Sequence, residues 1–408
     1  MIRGHRAAGL TAAYYALLFA ALGAHLPYWP VWLESRGLDA AQIGWFLGAA
    51  TLVRIVGTTI LPALADRWAA RRAMIAISSA LTVLVGLALL AVPADPALLL
   101  AATLLWALVM APSVPLGEAL GLRAAGQHGF AYAPVRAAGS IGFLLANLAI
   151  GALLALAGPD LVIWAVALAF VGVGAVGLIH PGGGAPANAG QDRPAPGELR
   201  ALALNRTLLI FALATAANQS SHMVYYSYSV LDWQAEGISG GTIGALWALG
   251  VLVETALMLG PGRAWVAQLG PAQALALAGV GGGLRWAAMA MDPGLGWLWP
   301  LQAMHAISFG LGHLAAMAFL AAAIPPRLAG SAQGILSGAG IGATSALVLF
   351  LAGILVAWGG VSAGYLLSAG LSTLSIGAAV LLALSWGGST ILASQSAEPN
   401  GRSTDSNS

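Results

Sequence analysis

GLDAAQIGWFLGAATLVR runs from Gly37 to Arg54, and GISGGTIGALWALGVLVE runs from Gly237 to Glu254. The two stretches align without a gap at an offset of 200 residues, with identities at Gly37/Gly237, Ile43/Ile243, Gly44/Gly244, Leu52/Leu252 and Val53/Val253. In each copy a short polar loop leads into a long apolar run that carries one charge, Arg54 in the first and Glu254 in the second. A charge that deep in an apolar helix is costly in lipid and by default faces a bundle interior or a water-filled cavity. Opposite charges at equivalent places in two halves predict a site formed between the halves. A repeat of this size in a hydrophobic chain is the mark of many transporters.

The rest of the composition agrees. Of 408 residues, 59% are hydrophobic and 7% charged, with a mean hydropathy of +0.86, whereas soluble proteins are about a quarter charged. The chain is an all-α, multi-pass membrane protein whose surroundings are the lipid bilayer. Its 54 glycines suit close helix packing. With no cysteine there is no disulfide, thiol catalysis or Cys-ligated metal. The chain has no lysine and no Gly-x-x-x-x-Gly-Lys loop, so ATP-driven pumping has no basis. No His-Glu-x-x-His metal helix occurs, no cofactor is called for, and arginines scattered over loops and helices give no nucleic-acid surface.

Spans of roughly 20 apolar residues divide the chain into about twelve helices. Residues 1–180 form one six-helix half, 181–203 a flexible cytoplasmic linker, 204–386 a second six-helix half, and 387–408 a disordered cytoplasmic tail. The fourth helix is read as Ala97–Ala119, the seventh as Leu204–Val230 and the tenth as Trp297–Ala323. The N-terminal run continues to Trp32 and reads as a span, not as a cleaved signal. With the N-terminus in the cytoplasm, twelve arginines fall in inner loops or termini, Arg36 falls outside, and Arg54, Arg136 and Arg285 fall within helices. That asymmetry places both termini in the cytoplasm.

PALADRWAARR, from Pro62 to Arg72, follows the second helix. It resembles the major facilitator signature Gly-x-x-x-Asp-Arg-x-Gly-x-Arg-Arg, with Pro62 and Ala69 at the glycine positions. The resemblance implies that Asp66, Arg67, Arg71 and Arg72 gate the cytoplasmic side in one state; a simple positive-inside anchor is the alternative. Glu118 and Arg136 lie 18 residues apart on neighbouring helices joined by a short loop, close enough to pair. A buried arginine needs a carboxylate, from the protein or from a substrate, and its planar fork suits one. The pairing resembles the lactose permease branch of proton symporters, which implies a substrate role; anchoring at the cytoplasmic surface is the alternative.

Asn218, His222, Tyr225 and Ser229 follow a helical stripe at i, i+4, i+7 and i+11. Such a stripe lines a cavity or glues helices together by hydrogen bonds. Glu254 is the leading proton carrier, with His305 or His313 as a second relay. The two histidines, eight residues apart, fall about 12 Å apart on a regular helix and are turned by roughly 80°.

PYWPVWLESRGLDAAQIG (Pro27–Gly44), LVRIVG, SVPLGEAL, VRAAGS, LRW and HAISFGLGHLAAM together resemble the phenylpropionate permease family, related to lactose and nucleoside permeases. The resemblance implies a proton symporter of major facilitator fold in the cytoplasmic (inner) membrane, driven by the proton gradient and acting as a monomer on a small molecule such as 3-phenylpropionate. Its substrate contacts would come from Arg54, Glu118, Arg136, Asn218, His222, Tyr225 and Arg285, and its proton coupling from Glu254, Glu118, His305 and His313. Sugar or nucleoside symport and proton-driven efflux are the alternatives within transport. A non-transporting receptor or a membrane-embedded enzyme is the alternative outside it.

Overall fold

The computed structural model describes residues 2–183 and 196–391, and among them every regular element is a helix. The first half comprises α1 (Ile2–Ser35), α2 (Ala40–Arg67), α3 (Arg71–Ala91), α4 (Pro96–Met110) continued by α5 (Ser113–His128), α6 (Tyr132–Arg136) continued by α7 (Ala138–Ala157), and α8 (Leu161–Ile179). After α9 (Pro196–Ala203) come α10 (Arg206–Ser220), α11 (Met223–Ala235), α12 (Gly240–Leu259), α13 (Gly262–Leu269) and α14 (Pro271–Met289). Then α15 (Leu295–Ala303) runs through a π turn at Ala306–Leu311 into α16 (Gly312–Ala323). Finally α17 (Ala329–Gly334) runs through a second π turn, Ile335–Gly342, into α18 (Ala343–Ser385).

The duplicated stretch is a helix stop followed by a helix start. Gly37 and Gly237 have φ of 86° and 80°, the left-handed conformation that ends a helix and that glycine adopts without a Cβ clash. Two residues on, Asp39 caps α2 in a reciprocal box: its carboxylate accepts from the Gln42 amide at 2.8 Å, and the Gln42 side chain accepts from the Asp39 amide at 3.0 Å. Ser239 does the same for α12 with one bond, from the Thr242 amide at 3.3 Å. The same local chemistry thus sets both halves' second helices on matching paths.

Among the described residues nine helical stretches are long and apolar enough to cross a membrane, or ten when the bent pair Gly197–Ala203 and Arg206–Ala235 is included. One of the nine, the 60-residue stretch Pro326–Ser385, breaks at Gly359 and Gly360 and makes two passes. The twelfth pass is α14, which carries Arg285 and three consecutive glycines and so falls short on apolarity alone.

Four expectations change. The fourth span does not end near Ala119, because α5 carries the helix on to His128. The seventh helix is not continuous: it breaks between Ser220 and Met223, where the Ser221 hydroxyl and His222 Nδ1 both bond the Asn218 carbonyl at 2.7 and 3.1 Å. The tenth is not a regular helix, because of its π turn. The linker is not flexible to its end, because Pro196–Ala203 is helical. Residues 184–195 of the linker and 392–408 of the tail lie outside the described residues.

The halves meet through backbone. A Cβ on Gly44 of α2 would stand 2.6 Å from the Gly353 Cα of α18. Gly151 of α7 and Gly240 of α12 pack against each other's carbonyl oxygens just as closely. The Tyr228 hydroxyl adds a bond to the Ala40 carbonyl at 2.9 Å. All these contacts lie toward the ends that carry Arg36 and Asp160, themselves ion-paired at 2.9 Å. Toward the arginine-rich ends, α6–α7 and the end of α12 part and line a cavity.

Candidate functional site

Between the halves the cavity has two lobes of about 380 Å³ and 530 Å³. Leu26 and Tyr226 line both and form the partition. They stand 200 residues apart, the offset of the repeat. Arg54 lines the smaller lobe and Glu254 the larger. The opposite charges at matching places therefore occupy matching lobes, one on each side of the divide.

The smaller lobe takes its walls from α1, α2 and α4, with Met223, Tyr226 and Ser227 of α11 and Leu349 of α18 closing it. Arg54 is accessible inside it, and among the described residues its guanidinium makes no hydrogen bond or ion pair. Part of its wall is aromatic. His25 stacks on Trp29 at 5.4 Å and meets Trp106 edge-on at 5.1 Å, while Trp29 and Trp106 lie 4.8 Å apart. Thr103, 2% exposed, lines the same lobe and its hydroxyl has no partner.

The larger lobe holds Arg136 from the first half and Glu254, His305 and His313 from the second, with Tyr225, Trp247 and Phe309 between them. The expected pair forms: Arg136 Nε donates to Glu118 at 2.7 Å. Glu118 also accepts from the Tyr132 hydroxyl, which lies 2.8 Å from that of Tyr15. The Arg136 guanidinium packs over the rings of Phe19 and Tyr15 at 4.1 and 4.8 Å.

Arg285 is fully buried, and the cavity linings do not include it. It donates to Gln302 at 2.9 Å and to His305 Nδ1 at 3.0 Å, and lies over the Trp286 and Tyr225 rings at 4.4 and 4.8 Å. A guanidinium only donates, so Nδ1 of His305 accepts and the ring proton sits on Nε2. That Nε2 is 3.4 Å from Glu254. Arg285 thus orients His305, and His305 faces Glu254, in a line from the packed core into the cavity.

Asn218 and His222 do not line the cavity. Both are fully buried; Asn218 donates to the Ser308 carbonyl at 3.0 Å and His222 Nε2 lies 3.2 Å from the Ser308 hydroxyl. They join α10 to the π turn of helix ten, the gluing alternative, because the break at Ser221 turns the stripe inward. Tyr225 does reach the wall. The histidines of helix ten are not turned apart: the π turn stacks His305, Phe309 and His313 in one column, with ring planes 11° and 4° apart. Asp66 bonds Arg71, the first residue of α3, so that charge pair closes the α2–α3 turn itself. Arg67 is exposed, and Arg72 Nε is buried without a partner.

Sequence reasoning missed His25, Trp29, Thr103 and Trp106. His25 carried a usable signal: an ionisable residue inside an apolar span is a site candidate by the rule that singled out Arg54.

Known proteins share this arrangement. The profile of the MFS_1 like family matches residues 10–367. A probable 3-phenylpropionic acid transporter of Escherichia coli is 28% identical over 346 residues, 85% of this chain and 90% of that protein. A maltose permease of Geobacillus stearothermophilus is 26% identical over 333 residues, 81% of this chain and 82% of that protein. The crystal structure of the nucleoside transporter NupG superimposes with a TM-score of 0.76 at 16% identity, covering 93% of this chain and 98% of that one. A repeat-built helical fold with a cavity between its halves, matched over most of its length, makes this chain a major facilitator transporter and a member of the MFS_1 like family.

Proposed function

We propose that this transporter is a proton-coupled symporter that carries a small aromatic acid of the 3-phenylpropionate class toward the cytoplasm by alternating access. The observation that carries the reading is the opposed charge of the two lobes. An unpaired guanidinium suits an organic anion, and a carboxyl facing a histidine suits a proton, so the two travel together with little net charge. The likeness to the probable 3-phenylpropionic acid transporter of Escherichia coli supports the acid. The protein sits in the inner membrane with both termini in the cytoplasm, works as a monomer, and uses the proton gradient without a cofactor. The gap at the arginine-rich ends is then the cytoplasmic mouth, and the conformation faces inward. The turn held by Asp66 and Arg71 would gate that mouth.

A second reading is symport of a sugar or nucleoside. The hydroxyl-rich patch of Tyr15, Tyr132, Glu118 and Arg136 favours it, as do the maltose permease and NupG likenesses.

The test is proton movement in de-energised vesicles on addition of 3-phenylpropionate, lactose or a nucleoside, against protein-free vesicles that give passive permeation of the acid. External alkalinisation above that background with the aromatic acid, abolished by Glu254→Gln, is the expected result. Alkalinisation with a sugar or nucleoside alone moves the assignment to the second reading. No response to any of the three defeats both and turns attention to efflux.

A further inference from the structure

Three arginines lie within the spans, and their surroundings differ. Arg136 already holds Glu118, and Arg285 already holds Gln302 and His305. Arg54 alone of the three holds nothing among the described residues, and it opens onto a cavity. A guanidinium that faces a cavity without a protein partner is free to take a carboxylate through two parallel charge-assisted hydrogen bonds. The cavity in front of it has the rest of a binding site. Its volume of about 380 Å³ is at the small end of ligand pockets. Its lining includes the aromatic cluster of Trp29, Trp106 and His25, in which the Trp106 ring meets the other two at steep angles. The unpartnered Thr103 hydroxyl, almost wholly buried, is one more polar group built into the lobe without a protein partner.

We propose that the smaller lobe is the seat of an aryl carboxylate, with the carboxylate on Arg54, the ring against Trp29 and Trp106, and Thr103 as a further hydrogen-bonding group. The larger lobe, across Leu26 and Tyr226, is left to the proton on Glu254. This rests on the functional reading above and adds to it which arginine holds the anion and where the ring goes. It also divides labour along the repeat: the first half's copy of the charged helix takes the substrate, and the second half's copy takes the proton. Tyr226, present in both linings, is the one aromatic side chain that touches both cargoes.

The experiment is equilibrium binding of labelled 3-phenylpropionate and of its neutral amide to the purified full chain in lipid nanodiscs. Arg54→Gln is expected to weaken the acid by about 10- to 150-fold, the worth of hydrogen bonds to a charged group, and to leave the amide within about threefold. Arg54→Lys is expected to recover part of the loss, as a point charge in place of a fork. Trp106→Leu is expected to weaken acid and amide alike, by about tenfold, through loss of the ring contact. If wild type binds the acid and Arg54→Gln binds it equally well, this inference falls while the functional reading stands. Equal loss of acid and amide in Arg54→Gln also overturns it, since the charge would then not be what Arg54 contributes. If wild type binds no aryl carboxylate, the functional reading falls and this inference with it.

Discussion

Gly44 of α2 and Gly353 of α18 touch backbone to backbone, so that a Cβ on Gly44 would lie 2.6 Å from the Gly353 Cα and from the Leu349 carbonyl oxygen. Neither helix can yield at that point except by moving away. A large side chain there acts as a wedge, and overpacking of this kind costs about 1–3 kcal/mol. Gly44→Leu is therefore expected to disfavour closure at the ends that carry Arg36 and Asp160. The chain has no cysteine, so a single Thr51→Cys in the smaller lobe can report access. Faster labelling by an impermeant maleimide from the face that carries Arg36 and Asp160, with slower transport, is the expected outcome. Unchanged labelling would show that the glycine contact does not hold that end shut.

Ala69 has φ 51° in the turn between α2 and α3, at a position where the related signature carries glycine. A left-handed alanine costs about 1–2 kcal/mol, while glycine gives back about 0.5–1 kcal/mol through the entropy of the unfolded chain. Ala69→Gly is expected to stabilise the protein by about 0.5–1 kcal/mol, and Ala69→Val to destabilise it. Thermal unfolding of the purified variants checks both signs.

Glu236 stands just past the end of α11 beside Asp232 and Asp292. Burial, then repulsion from those two carboxylates and a hydrogen bond with Asp292, push its carboxyl from the usual 4.5 up to about 7. The folded state therefore holds the proton more tightly than the unfolded chain does. The contribution is fully favourable below about pH 4.5. It is lost as pH rises to about 7, and is flat above that. Glu236→Gln is expected to flatten the decline of melting temperature between pH 5 and 7. A wild-type melting temperature that rises over this range, or a decline that Glu236→Gln leaves untouched, would contradict it.

Arg285 and Arg54 should separate in stability. Arg285→Ala strips Gln302 and His305 of a partner and removes a cation from two ring faces in a fully buried place. A loss of about 3–5 kcal/mol is expected. Arg54→Ala breaks no protein bond and is expected to change stability by less than about 0.5 kcal/mol. Chemical unfolding of both variants makes the comparison, and equal losses would mean that Arg54 has a structural partner.

The legible parts of the molecule were those set by local chemistry. Gly37 with Asp39 and Gly237 with Ser239 write the helix boundaries directly. The Glu118–Arg136 pair followed from spacing and a short loop. What stayed hidden depends on departures from regular helix. The break at Ser221 comes from side chains bonding the Asn218 carbonyl, and it turned Asn218 and His222 from cavity wall into packing. Ring stacking across the π turn aligned His305 with His313 against the regular-helix geometry. The aromatic wall of the smaller lobe needs α1 and α4 side by side, a tertiary fact that no single stretch contains, although His25 gave notice of it.

The π turn at Ala306–Leu311 amounts to one residue more than a regular helix would hold there. That residue is absorbed locally, so His305 and His313, eight apart in the chain, face one way like residues seven apart on a regular helix. Deleting one residue within the turn would restore an ordinary helix and leave His313 in the column and Ala315, Ala316 and Phe319 in their packing. The same deletion placed in α16 would instead rotate all that follows by about 100°. Chain length is therefore negotiable at this turn and nowhere else along the tenth helix: a deletion inside it should spare more transport than one a few residues on.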